Sequence, residues 1–272
     1  MTTPRILLEA ARELALLAGS VALVRYHDHL RGRPLRVERK ADGSPVSSAD
    51  REVEHIARDW LGRHFPEDGV VGEELGAVRP EARRVWCIDP IDGTKSFLGG
   101  APLWGTLVAV AEGETVLAGA AAFPATGAWI AAAPGEGCEC ESGPARVSEL
   151  ASLEEATVLT TDERFPDALH CVEPWRKVAG AARIARTWGD AFGYYLVATG
   201  RAELMTDGRL ASWDAACWKP IIDEAGGVFT DWKGESTGFG EGAIATNTAL
   251  AADVRERLGV HQDGVPTRGR PR

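Results

Sequence analysis

Two aspartates, Asp89 and Asp92, flank Pro90 and Ile91 and are followed directly by Gly93 and Thr94. Three chemistries are open to such a run. A carboxylate could attack phosphorus, both could bind a metal, or the segment could be a capped Pro/Gly turn. Carboxylates two residues apart share one face of an extended strand, but a separation of three through a proline does not achieve this. That argues against a nucleophile with a helper acid. A turn after a strand can instead fold both carboxylates toward one point and offer the Ile91 carbonyl beside them. Gly93 permits left-handed backbone or close approach of a phosphate. Thr94 could cap a short helix, with the amides of Gly93 and Thr94 aimed at a phosphate oxygen.

Haloacid-dehalogenase-type phosphatases carry a superficially similar signature, but with the two-residue spacing that is absent here. Other carboxylates widen the metal reading. Glu73 and Asp214 also fall just past expected strands or at helix starts, and Asp50 stands at an expected helix N-terminus. Taken singly, each reads as a cap or a solvated loop residue; "SWDAA" around Asp214 is a good N-cap signature. Taken together they would repel. Two unit charges about 4 Å apart cost roughly 4 kcal/mol at an effective dielectric of about 20, unless a cation intervenes. Oxygen ligands without His or Cys suit magnesium, with manganese or calcium as competitors. Spacing alone leaves open whether the five converge.

The elements that must position them are readable from periodicity. Apolar residues at helical spacing predict a helix over 5–31. "RVERKADGSPVSSAD" reads as a strand end and a polar loop, with Ser48 or Asp50 capping a helix over 50–64. "DGVVGEEL" reads as a short strand and acidic loop. "RRVWCI" reads as a buried strand ending at Pro90. Three β-like runs, "LWGTLVAVA", "TVLAGAAAF" and "GAWIAAA", predict an antiparallel meander. "GEGCECESGPA" is expected to be a loop. Strands then alternate with helices at 173–180, 190–199, 213–225 and 248–258, which predicts an α/β half. The expected organisation is one domain over 1–262, with halves at about 1–145 and 146–262. Residues 263–272 form a basic, Pro/Gly-rich tail expected to be disordered.

Composition bounds the partners. The chain has 272 residues, 44% apolar and 26% charged, with a net charge of -10. That acidity disfavours a nucleic-acid backbone and suits a cationic substrate or one approached through metal ions. The five cysteines form no CxxC pair, so free thiols in a reducing compartment are expected. The N-terminus has neither a signal-peptide core nor a membrane-length run, so a cytoplasmic location is expected. His27 and His29 resemble no ligand pair.

The segments "GEE" (72–74), "DPIDGT" (89–94), "WDAA" (213–216) and "EAGG" (224–227) resemble, in order and spacing, the inositol monophosphatase family of magnesium-dependent, lithium-sensitive phosphatases. The resemblance spans about 5–258. It implies a layered α-β-α-β-α sandwich, an α/β fold of the inositol monophosphatase and fructose-bisphosphatase type, and a homodimer. It implies two or three Mg2+ per active site, with Mn2+ as a substitute. Glu73, Asp89, Asp92 and Asp214 become ligands through their side chains and Ile91 through its carbonyl. Glu73, Thr94 and Asp50 become the catalytic set, with Thr94 and Asp50 orienting and deprotonating the attacking water. Asp92, Gly93, Thr94 and Asp214 become substrate contacts, and Lys40 falls in a loop that approaches the metals. Gly99 departs from the polar or basic residue common there, which removes a substrate contact from that position.

Within the family, Lys95, "PLWGTLVAV", "TWGDAFGYYLVATGRAELM" and the stretch from Trp213 to Gly234 look most like the histidinol-phosphatase branch. The implied substrate is L-histidinol phosphate, in histidine biosynthesis. Asp190 and Asp207 are then candidates to meet its cationic groups, against readings as an N-cap and a turn residue. Glu74 is expected to face solvent. Trp104 or Trp188 could touch an imidazole ring. The alternatives are a broad inositol-, sugar- or bisphosphate-nucleotide phosphatase, or a non-catalytic metal-binding protein.

Overall fold

The computed structural model describes residues 3–41 and 43–260. Thr3 caps α1 (Pro4–Leu30) by accepting from the Ile6 amide, and Pro4 opens the helix. A short hairpin follows, β1 (Val37–Arg39) and β2 (Pro45–Ser47); the first strand matches the expected strand end, and the second lies where a loop had been expected. It leads into α2 (Ser48–His64). The cap is Ser47, ahead of both candidates; Asp50 sits at the third helical position and bonds back to the Ser47 amide. That reciprocal pairing is a capping box, which places the acidic partner inside the helix.

Next come β3 (Gly69–Gly72), β4 (Gly76–Val78), β5 (Val85–Asp92), α3 (Thr94–Gly99), β6 (Gly105–Glu112), β7 (Thr115–Phe123) and β8 (Ala128–Ala133). The strands β6 to β8 form the expected antiparallel meander. Strand β5 does not stop at Pro90. It pairs again at Asp92, with a register shift between Asp89 and Asp92. Proline survives in this inner strand because the irregularity spares it from donating. The segment expected as a loop after β8 pairs as β9 (Gly137–Cys140) and β10 (Gly143–Pro144).

The remainder is β11 (Thr157–Leu159), α4 (Val172–Ala181), β12 (Ile184–Arg186), α5 (Ala191–Ala198), β13 (Leu204–Asp207), α6 (Ser212–Ala215), α7 (Trp218–Glu224), β14 (Gly227–Thr230), β15 (Ala243–Asn247) and α8 (Ala251–Leu258). The helix expected over 213–225 is thus divided, and α8 starts later than periodicity predicted. The tail expected at 263–272 lies outside the described residues.

An eight-stranded sheet has the order β10-β9-β8-β7-β6-β5-β3-β4, and a five-stranded sheet has the order β12-β11-β13-β15-β14. Alternation along each strand sets the layers. Val108 and Val110 on β6 face Leu14 and Val53 of α1 and α2, while Leu107 and Ala109 face the opposite core with Tyr194 of α5 and Trp218 of α7. That second core also takes Met205 and Ala245 from the smaller sheet. Leu204 and Ile244 point the other way, onto Val178 of α4 and Val254 of α8. The succession is α-β-α-β-α, as the family resemblance implies. The five cysteines are free and buried, and no helix among the described residues is long and apolar enough to cross a membrane.

Candidate metal and phosphate site

The end of β5 builds the centre. The Ile91 amide donates to Asp89 Oδ1 at 3.0 Å, and Thr106 of β6 donates to the Pro90 carbonyl at 2.8 Å, so the irregular segment is held from both sides. Asp89, Asp92 and Asp214 each bring a carboxylate oxygen within 4.8 Å of the others. Asp214 arrives on α6. It is not the cap suggested by "SWDAA"; it lies at the third helical position and accepts from the Ala211 amide at 3.0 Å. Asp92 accepts from the Ala191 amide, at the start of α5, at 2.6 Å. Two helix N-termini thereby support carboxylates from the larger sheet and α6.

These acids are held far from their ordinary state. Loss of water, then the charges of Glu73, Asp92 and Asp214, push Asp89 well above the usual carboxylate range. Loss of water, then Asp190 and Asp214, do the same to Asp92. Asp214 is pushed up to about 7, chiefly by loss of water, with the charge of Glu73 adding to it. A divalent cation would relieve the repulsion among them. The donor set is all oxygen, so it fits a hard cation.

Glu73 stands outside the 4.8 Å cluster. Its Oε1 is 2.6 Å from Lys40 Nζ, which is also 2.6 Å from Glu74 Oε1. Burial acts to lower the Lys40 pKa, but hydrogen bonds and charge from both glutamates outweigh it and raise it. Glu74 was expected to face solvent; its side chain is 4% exposed. The charge of Lys40 is what permits that burial. Glu54 holds this loop from beneath and has no counterpart in the sequence expectations. It is fully buried and accepts from the amides of Glu74 at 2.7 Å and Leu75 at 3.2 Å. Only glycine fits at Gly72, because a Cβ there would lie 2.0 Å from Glu54 Oε1.

On the other side, Thr94 is the first residue of α3 and does not cap it; Gly93 does, in left-handed backbone at φ 78°. The Thr94 hydroxyl lies 3.3 Å from Asp50 Oδ1 and 3.1 Å from the Ile91 carbonyl, and its one proton serves one of them at a time. Asp50 also accepts from the amide and hydroxyl of Ser47, at 2.8 and 2.6 Å. Burial nevertheless raises its pKa.

A cavity of about 250 Å³ opens beside the cluster, bordered by Asp92, Asp214, Asp190, Asp207, Lys95 and Tyr194. Asp190 and Asp207 therefore share one space. Asp207 is buried and accepts from the Thr161 amide and the Tyr194 hydroxyl, each at 3.0 Å; loss of water pushes it up to about 6. Tyr194 was hidden in an apolar helical run, and only its hydroxyl contact reveals it. Thr161 lies just past the end of β11. Trp104 is fully buried against Tyr26 and Phe97, so it cannot touch a ligand. Trp188 is 45% exposed. Gly99 faces open space.

Comparison with known proteins agrees with this geometry. The inositol monophosphatase family model matches residues 4–262. A histidinol-phosphatase from Chlorobaculum parvum is 38% identical over 93% of this chain and 96% of its own. One from Mycobacterium tuberculosis is 36% identical over 82% of this chain and 88% of its own. A fructose-1,6-bisphosphatase/inositol-1-monophosphatase from Thermotoga maritima is 32% identical over 86% of this chain and 92% of its own. Among solved structures, the extragenic suppressor protein suhB of Bartonella henselae matches with a TM-score of 0.83 at 27% identity, over 90% of this chain and 95% of its own. The chain is thus a phosphoric monoester hydrolase and belongs to the inositol monophosphatase family.

Proposed function

We propose that this phosphatase hydrolyses L-histidinol phosphate to L-histidinol and phosphate with Mg2+. The observation that carries the substrate is the acidic cavity beside the cluster, where Asp190 and Asp207 face the space open to the alcohol portion. An ester bearing an ammonium and an imidazole complements it; a neutral polyol does not need it. The histidinol-phosphatases at 38% and 36% identity support the same reading.

Asp89, Asp92 and Asp214, with Glu73 and the Ile91 carbonyl, would hold two or three ions. Bound there, magnesium supplies a lowered water pKa and charge neutralisation at the leaving oxygen. The chain's own groups do the rest. Thr94 can accept a proton from the attacking water while passing its own to Asp50, whose pKa burial has raised. The amides of Gly93 and Thr94 can bind a phosphate oxygen. Lys40 must release Glu73 before that carboxylate can serve a cation. A cytoplasmic homodimer completes the reading, consistent with five free thiols.

The test is phosphate release from histidinol phosphate, inositol 1-phosphate, fructose 1,6-bisphosphate and an adenosine bisphosphate, each with Mg2+, Mn2+ or EDTA. The reading expects histidinol phosphate to lead and EDTA to abolish all activity. A wide lead for inositol phosphate or fructose bisphosphate would instead favour the second reading, which the Thermotoga maritima relative supports.

A further inference from the structure

Ser47 ends β2 and caps α2, and its hydroxyl does more than cap. It accepts from the Ala49 amide at 3.1 Å, which is the capping bond. Its own proton goes to Asp50 Oδ2, at 2.6 Å. The Ser47 amide donates to that same oxygen at 2.8 Å. A capping box needs only the amide bond to the acidic side chain. The second, shorter bond is surplus to the helix, and capping does not explain it.

Its geometric product lies on the other carboxylate oxygen. With two donors on Oδ2, it is Oδ1 that meets the Thr94 hydroxyl, at 3.3 Å. That contact has a rival, because the Ile91 carbonyl stands 3.1 Å from the same hydroxyl, which has one proton to give. An Asp50 free to rotate would surrender the proton to the carbonyl. Asp50 is not free. It is 0% exposed and Ser47 is 1% exposed. The donors themselves are fixed from both sides: Ser47 pairs with Val37 across the hairpin, and the next amide, of Ser48, donates to the Arg36 carbonyl at 2.8 Å.

We propose that Ser47 is a positioning residue for the phosphatase reaction: its amide and hydroxyl, both on Asp50 Oδ2, turn Oδ1 toward Thr94 and so fix the line along which a proton leaves the attacking water. The inference rests on the reading of Thr94 and Asp50 above and adds the residue that aligns them. The N-terminus of α2 is then a structural motif and a holder of the proton acceptor at once.

Ser47→Gly and Ser47→Ala separate the two duties. Both keep the amide and lose the hydroxyl, but glycine is the better cap. Each is assayed at saturating Mg2+, on whichever of histidinol phosphate, inositol 1-phosphate, fructose 1,6-bisphosphate and an adenosine bisphosphate the wild type prefers, and each is melted. Ser47→Gly should melt within about 2 °C of the wild type and Ser47→Ala about 2–4 °C lower. In both, kcat should fall about 10-fold with KM unchanged. In a Thr94→Val background, Ser47→Gly should change kcat by less than about 2-fold, because the three residues act as one unit. A loss of kcat that follows the melting temperature, present in the alanine variant and absent in the glycine one, would overturn the inference and leave Ser47 a cap. So would a change carried by KM alone, or a full further loss in the Thr94→Val background. A wild-type kcat in Thr94→Val itself would overturn the reading of Thr94 and Asp50, and this inference with it.

Discussion

Asp89, at the irregular end of β5, and Asp214, on α6, bring carboxylate oxygens within 4.8 Å of each other, with Asp92 beside them. Asp214 has a pKa pushed from 3.8 up to about 7, and Asp207 from 3.8 up to about 6. The folded chain therefore binds more protons than the unfolded chain across that interval. Without metal, this contribution to stability is full below about pH 3.8 and is lost as pH rises through about 7. With EDTA, the melting temperature should fall between pH 5 and pH 7.5 (roughly the window set by these shifts). Saturating Mg2+ should flatten that slope. A metal-free melting temperature that rises over the same interval would contradict the raised pKa values of these buried acids.

Asp89 is the most buried of the three clustered acids and touches the other two electrostatically. Asp89→Asn should lower kcat by about 10³-fold or more, since several kcal/mol of charge stabilisation depend on the cluster. The circular dichroism spectrum and melting transition should persist. A folded variant turning over at a wild-type rate would remove Asp89 from the chemistry.

Lys40 holds Glu73 and Glu74 at 2.6 Å each, as an internal cation. Lys40→Met should free Glu73 and remove a positive charge from beside the metal ligands. Calorimetric titration of the variant with Mg2+, in the absence of substrate, should show binding about 3- to 10-fold tighter. Weaker binding would mean that Lys40 organises the ligands rather than competing for them.

Glu54 is fully buried, pairs with Arg58 and receives two amides from the Glu73 loop. Glu54→Ala should cost about 3 kcal/mol of stability, because it strands those amides and a largely buried guanidinium. Glu54→Gln keeps acceptor oxygen and should cost less. Urea midpoints measure both. A larger loss for the glutamine variant would show that the loop is held by other means.

The local facts were legible in the chain. Regular apolar spacing set α1, and the runs from Leu103 to Ala133 set the meander, because a periodic face must be buried. The three-residue gap between Asp89 and Asp92 already disfavoured a nucleophile. Where expectation failed, a partner distant in sequence or a reciprocal contact decided. Pro90 lies inside a strand because β6 pairs on both sides of it. Ser47 caps α2 because Asp50 reaches back to it. Glu74 is buried because Lys40, from another hairpin, neutralises it.

The sequence by itself determined which carboxylates were available and the spacing at which β5 presents two of them. Only the tertiary structure decided that Asp214 joins that pair, that Asp190 and Asp207 share one cavity, and that Glu73 is held by Lys40. The physical reason is that periodicity encodes each element's buried face. Which carboxylates meet depends on how the layers stack, and no local pattern carries that information.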